Sequence, residues 1–449
     1  MLAQRRVADK STEIPAFAPL LDTLVPTDTR YHRRRPAHPA RPRRLPTKEA
    51  STSMTSAPPS TTLFNDALMT DPYGTYARLR EAGPVHRTTT PDGAPVWVVT
   101  RYEDVRAALT DPRLSLNKAN THTTGRYQSS MPPELDAHLL NMDPPDHTRL
   151  RRLVSKAFTA RRIEGLRQRV QAHADRLLDA ITERPADLMH SLANPLPMEV
   201  ICELLGIPAQ DRRDFHAWTH SVLGPAEDAA VESRAAMREM HRYLTGVIAA
   251  KRNKPADDLL TAMIEARDER DGLSEPELLA MAFLLLFTGY TSSVNLIGNA
   301  TLALLLHPAV MTSVRAGRTP VRAVLEETLR WNAPVTLGVR RFALEDITIG
   351  GITIPTGSRV WVSLASANRD AAQFTDPDCF QPERASAHLD FGHGIHYCLG
   401  APLARLEAEV ALTALLARFP CLRLAIPTDE LEWLPSFHHR GLKKLPVIW

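Results

Sequence analysis

"FGHGIHYCLGAPLARLEAEVALTALLARF" occupies residues 391–419, and its reading decides the fold. Its first ten residues hold Gly392, Gly394, Gly400, His393, His396 and Cys398; the remainder carries apolar residues at helical spacing, with Pro402 in the first turn. Cys398 therefore stands where a helix begins, its sulfur near free N–H groups and the positive end of the helix dipole. The glycines open backbone angles closed to other residues and let a flat ligand lie close. A thiolate is the form of cysteine that attacks or ligates metal. On these residues alone a metal–thiolate ligand, a nucleophile and a structural cysteine all stay open. No oriented His–Asn pattern follows for a nucleophile. The partner ligands of a zinc site are also missing.

Working outward, the 449-residue chain has four cysteines, a net charge of +3, 43% hydrophobic and 23% charged residues. That is the composition of a soluble globular protein. The cysteines form no CxxC pair, so a reducing, cytoplasmic compartment is expected. The small net charge gives no case for nucleic acid as a partner. Residues 1–62 differ from the rest: "RYHRRRPAHPARPRRLPTK" is basic and proline-rich, and "EASTSMTSAPPSTT" is small and polar. Such composition buries too little to offset chain entropy, so a disordered tail is expected, with 63–449 as one domain. A transit peptide is one reading of this tail. A dispensable tail, or sequence upstream of a true start at Met54, are the others.

Within 63–449, "DPYGTYARLREAGPV" reads as a turn leading into an amphipathic helix, and "VHRTTTPDGAPVWVVT" as a hairpin around Pro-Asp-Gly. Helical periodicity dominates from about 101 to 340. "ITIGGITIPTGSRVWVSL" returns to strand pattern. The uncharged stretch "LLAMAFLLLFTGYTSSVNLIGNATLALLL" is long enough to span a membrane, which takes about 20 apolar residues. Its middle, however, is broken by Thr288, Gly289, Thr291, Ser292, Ser293, Asn295 and Asn299, and no Lys or Arg clusters flank it. Ser274 and Glu277 form a capping-box pattern, and Pro276 suits a first helical turn. A central helix buried in a mainly α protein with small β-sheets is the expectation, not a membrane span.

"FGHGIHYCLG" resembles the F-G-x-G-x-H-x-C-x-G haem loop of the cytochrome P-450 family. "EETLR" is similar to that family's E-x-x-R pair, as Glu327 and Arg330, and "FQPER" to its second arginine, as Arg384. The long helix and "DPPDHTRLRRLV" resemble the family's oxygen-binding and haem-edge helices. The resemblance covers about 65–449 and looks closest to soluble bacterial members that tailor polyketides and other natural products. It implies a single large domain around haem b, with Cys398 as axial thiolate to the iron. By the same resemblance His147, Arg151, Arg341 and His396 contact the haem propionates, and Gly289 lies against the cofactor. Glu327, Arg330 and Arg384 hold the fold. The implied activity is a monooxygenase that hydroxylates or epoxidises a hydrophobic small molecule, such as a polyketide, macrolide or other secondary metabolite. Electrons come from a ferredoxin and ferredoxin reductase, docked on a basic surface near Arg405 or Arg149–Arg152, and the protein is a monomer. Substrate contacts are expected around 115–140, near 218–230, in the central helix and after Pro334.

One motif departs from the family. Its oxygen helix reads A-G-x-acid-Thr, whereas this chain has Thr288-Gly289-Tyr290-Thr291-Ser292. Thr291 stands for the acid and Ser292 for the threonine, both as catalytic hydroxyls. They can donate and accept hydrogen bonds, yet neither is a proton reservoir at neutral pH. A non-hydroxylating or peroxide-using oxidase (coupling, desaturation) and a haem protein that binds without turnover are the alternatives.

Overall fold

The computed structural model describes residues 63–449 except 91–92, 122–131, 224–225, 266, 269–270 and 386. The tail 1–62, with Met54, lies outside the described residues, as do the turn residues Pro91 and Asp92 and parts of the expected substrate segments 115–140 and 218–230. The central helix runs Glu275–Leu306 over 32 residues, about 48 Å at ~1.5 Å per residue. Its start is the expected capping box: Ser274 Oγ accepts from the Glu277 amide, and the Glu277 carboxylate accepts from the Ser274 amide. The helix is apolar on nearly every side and is covered by other helices, among them Pro133–Asp136, Pro195–Leu204, Val321–Trp331 and Ala401–Arg418. It is long and apolar enough for a bilayer, but 78% of its most apolar window is buried inside the protein. It is a core helix.

The sheets are small. A five-stranded sheet has the order Val85–Thr89, Pro95–Val99, Arg359–Val362, Arg341–Ala343, Leu114–Ser115. The expected hairpin is present, with Val85 opposite Val99 and Thr89 opposite Pro95. Arg359–Val362 joins it in parallel, Val360 opposite Trp97. Ile347–Ile349 and Ile352–Ile354 form a second hairpin, where Gly350 (φ 56°) and Gly351 (φ 82°) supply the two left-handed positions such a tight turn needs. Inside the stretch read as helical, Leu114–Ser115 and Ala186–Asp187 are two-residue strands. Segments that short leave no period to detect.

Arg330 joins these parts. All five of its N–H donors are used: two on the Glu327 carboxylate (2.7 and 2.9 Å), and the others on the carbonyls of Asn368 (3.1 Å), Pro377 (2.7 Å) and Cys379 (2.9 Å). Arg384 Nε approaches Glu327 Oε1 at 3.5 Å, and the Gln381 amide donates to the same oxygen at 2.8 Å. The Val321–Trp331 helix is thereby tied to residues 368–384, which lead into the cysteine loop. Breaking a buried pair leaves an uncompensated charge, which costs about 3–5 kcal/mol. Glu327→Gln is expected to lose that amount in denaturant unfolding, and Arg330→Lys as much, because an ammonium cannot reach three carbonyls and a carboxylate together. A loss under 1 kcal/mol in either variant contradicts this.

Candidate active site

The cysteine loop is shaped before its helix begins. Gly392 (φ 74°) and Gly394 (φ 75°) take left-handed angles, and a Cβ on Gly394 would come within 2.7 Å of Thr110. The Cys398 amide donates to the Phe391 carbonyl at 2.9 Å and closes the loop. The helix Ala401–Arg418 follows, with Pro402 in its first turn. Its free amides are turned on the sulfur: Gly400 and Ala401 hydrogen-bond to Cys398. Burial raises the Cys398 thiol pKa, while those amides and the charge of Arg151 pull it down. The residue is nevertheless accessible. The residue is thus exposed while its thiol sits in poorly solvating surroundings. Cys202, by contrast, is buried and pushed up to about 12. Cys379 and Cys421 are exposed and outside this loop.

Four expected contacts converge beside that loop from three segments. The His147 and His396 rings lie 4.1 Å apart, and Arg151 Nη2 donates to the Tyr397 carbonyl at 2.7 Å. Arg341 is 3% exposed and donates to its neighbour Val339's carbonyl at 3.0 Å. Burial, then the nearby His147, Arg341 and Arg151, push His396 down to about 3. Burial likewise lowers His147 and brings Arg341 down to about 10. The imidazoles are thus neutral N–H donors, and the positive charge comes from the arginines. Both ring nitrogens of His147 and Nδ1 of His396 are buried without a partner among the described residues. A buried polar group left so costs about 1–3 kcal/mol. Orphaned donors beside two guanidiniums, next to an accessible sulfur, fit an anionic, carboxylate-bearing metal macrocycle such as haem.

The middle of the central helix also opens. Thr288 is exposed and Gly289 and Ser292 are half-buried, within a helix otherwise covered. Thr288 and Ser292 are four apart and share a face. Thr288 Oγ1 donates to the Leu284 carbonyl at 2.7 Å, a local helix bond. The Thr291 hydroxyl is buried with no partner among the described residues. A Cβ on Gly289 would meet only Ile201 Cδ1, at 3.7 Å, so the protein's own packing does not require glycine there.

Glu407 was missed by sequence reasoning. It is 1% exposed on the helix after the cysteine, and burial pushes it up to about 8 against a hydrogen bond to Ser293 on the central helix. Its signal was an acid inside the apolar stripe, four residues after Leu403 and three before Val410. Two residues of the expected basic docking surface are paired within the protein, while Arg152 is exposed. Arg405 is only 16% exposed at its side chain and bonds Glu326 through two nitrogens, and Arg149 pairs with Glu277. Each of these two charges has a carboxylate partner.

Comparison with known proteins agrees with this geometry. The family model for cytochrome P-450 matches residues 318–433. The monooxygenase PikC of Streptomyces venezuelae is 47% identical, over 84% of this chain and 91% of its own. The mycinamicin IV hydroxylase/epoxidase of Micromonospora griseorubida is 44% identical, over 88% and 100%. Among solved structures, PksS from the bacillaene polyketide synthase of Bacillus subtilis 168 superposes with a TM-score of 0.82 at 39% identity, covering 86% of this chain and 99% of that one. With a helical core, small sheets and relatives at this level of identity across the described domain, the chain belongs to the cytochrome P-450 family of haem monooxygenases.

Proposed function

We propose that this chain is a haem b monooxygenase that inserts one oxygen atom from dioxygen into a hydrophobic secondary metabolite of the polyketide or macrolide class. Electrons would come from a ferredoxin and its reductase, to a cytoplasmic monomer. The observation that carries the reading is the accessible Cys398 sulfur beside orphaned donors. The relatives support the substrate class by name: the mycinamicin IV enzyme, and the 6-deoxyerythronolide B hydroxylase at 41% identity. Haem held by a thiolate supplies the activation of dioxygen.

The protein's own residues do the rest. Cys398 is the ligand, its charge supported by the Gly400 and Ala401 amides. Arg151 and Arg341 would neutralise the propionates, and His147 and His396 would donate hydrogen bonds to them. Gly289 would leave room for the cofactor beside the central helix. Ser292 Oγ, half-buried on the open face of the helix, passes a proton towards the reacting oxygen, and the Thr291 hydroxyl can accept and return one. What Thr291 cannot do is store a proton. Glu407 can: with a pKa of about 8 it is mostly protonated at pH 7, and it bonds Ser293, the neighbour of Ser292. The helix Pro195–Leu204 and Phe283 and Phe287, stacked at 5.8 Å, keep the surroundings apolar. Because Thr291 replaces an acid, a coupling or desaturating oxidase is the second reading. Turnover with peroxide in place of dioxygen and reductant, at equal yield, would favour it.

The substrate class is tested by adding macrolide and linear polyketide scaffolds to the ferric protein. A shift of the Soret band to the substrate-bound form, followed by a product one oxygen heavier with a surrogate ferredoxin system, is expected. No shift with any scaffold overturns the assignment.

The relay makes a second prediction. Ser292→Ala and Glu407→Gln are expected to raise hydrogen peroxide released per NADPH severalfold with substrate bound. Wild-type product per NADPH should fall as pH rises through about 8, where Glu407 loses its proton. Unchanged yields in both folded, haem-loaded variants count against the relay.

Stability gives a third. Glu407 has a raised pKa in the folded protein, so its proton stabilises the fold fully below the ordinary carboxylate range. That contribution is lost as pH rises through about 8. Wild type should weaken relative to Glu407→Gln across that window, by up to ~1.4 kcal/mol per pH unit, and the difference should flatten above it. Parallel unfolding curves from pH 5 to 9 would refute the buried acid.

A further inference from the structure

Arg405 is not where a docking residue should be. It leaves the helix behind Cys398 and stacks over the Phe391 ring, 4.4 Å from its centroid. Its fork grips Glu326 at 2.5 and 2.8 Å, and Nη1 donates to the Tyr397 hydroxyl at 3.4 Å. Glu326 accepts in turn from His388 at 3.1 Å. The His388 and Tyr397 rings stand 5.8 and 6.2 Å from the Phe391 ring. Phe391 is therefore caged by three groups, two of them bonded to Glu326 and the third to Arg405. Burial would raise Glu326, but the bonds from Arg405 and His388 outweigh it and hold the carboxyl at about 2. Glu326 is consequently ionised throughout the working pH range.

Its position matters more than its charge. Phe391 opens the cysteine loop and Tyr397 immediately precedes Cys398, and the Phe391 carbonyl is the acceptor for the Cys398 amide. One guanidinium touches both residues. Glu326 anchors it to the Val321–Trp331 helix, beside the Glu327 that Arg330 holds. We propose that Arg405, oriented by Glu326, is a positioning residue for the thiolate. It holds Phe391 against the backbone that carries Cys398, and so sets how firmly the sulfur keeps its metal and at what potential. A planar fork is needed, because only it can stack on a ring and grip a carboxylate at once. Hydrogen bonding and burial around a ligating sulfur are what tune such a centre.

The inference rests on Cys398 as the ligand. The strongly red-shifted Soret band of the wild-type reduced carbon monoxide complex checks that reading independently. The test of Arg405 compares Arg405→Leu, Arg405→Lys, Phe391→Leu and the double variant Arg405→Leu/Phe391→Leu as haem-loaded proteins. It measures haem transfer to an acceptor protein and the midpoint potential. Arg405→Leu is expected to speed haem loss about 2- to 30-fold, the range corresponding to one lost cation–π contact, and to shift the potential. Arg405→Lys should recover little of either, and in the Phe391→Leu background the Arg405 substitution should add almost nothing. Full recovery with lysine, or an undiminished effect without Phe391, overturns the proposal. If Arg405→Leu does not fold, Glu326→Gln releases the same fork more gently and must show the same dependence on Phe391.

Discussion

Arg330 has no N–H left over: Glu327 takes two, and three carbonyls from residues 368, 377 and 379 take the rest. A guanidinium is tolerated at 0% exposure only on such terms, because each unsatisfied donor would be expensive. This constraint organises the half of the protein that presents the sulfur. It fixes the helix Val321–Trp331 against the segment leading into 391–400, and the neighbouring Glu326 of that helix reaches the loop itself through Arg405 and His388. Two adjacent glutamates thus face two tasks. Glu327 secures the approach to the loop, and Glu326, through Arg405, reaches Phe391 and Tyr397 within it.

The other half of the site is the central helix, and it works through what it leaves undone. A 32-residue helix buried on almost every side should expose nothing in its middle, yet Thr288 and Ser292 are accessible and the Thr291 hydroxyl is unsatisfied. The orphaned nitrogens of His147 and His396 add unsatisfied donors beside the cysteine loop, where the His147 and His396 rings lie 4.1 Å apart. In the proposed relay, Thr291 stands where the family carries an acid, and Glu407, from the helix behind the cysteine and hydrogen-bonded to Ser293, would serve as the proton store instead. The buried acid reduces stability above the ordinary carboxylate range, as functional groups held out of water often do.

Much of this was legible in residues alone. The cap Ser274-x-x-Glu277, the alternation around residues 85–99 and the glycine pair 350–351 each specify geometry locally, and each formed as read. The cysteine loop and the Glu327–Arg330 spacing were legible through resemblance, and His147, Arg151, Arg341 and His396 do gather beside the loop. What could not be read depends on partners distant in sequence. Arg405 looked like a surface cation until Glu326 was placed 79 residues away from it. Glu407 was passed over, although it stands as an acid inside the apolar stripe of its helix. Two-residue strands carry no period, and the choice of Thr288 to bond its own helix depends on what lies beside it.

The central claim is that one sulfur, Cys398, holds the metal. The direct measurement is the Soret band of the reduced carbon monoxide complex in serine variants at Cys202, Cys379, Cys398 and Cys421. Thiolate donation produces the strong red shift, and a serine oxygen cannot reproduce it. The account predicts that the shift disappears in Cys398→Ser alone and persists in the other three. A red-shifted band that survives Cys398→Ser, or one lost on replacing Cys379 or Cys421, contradicts it.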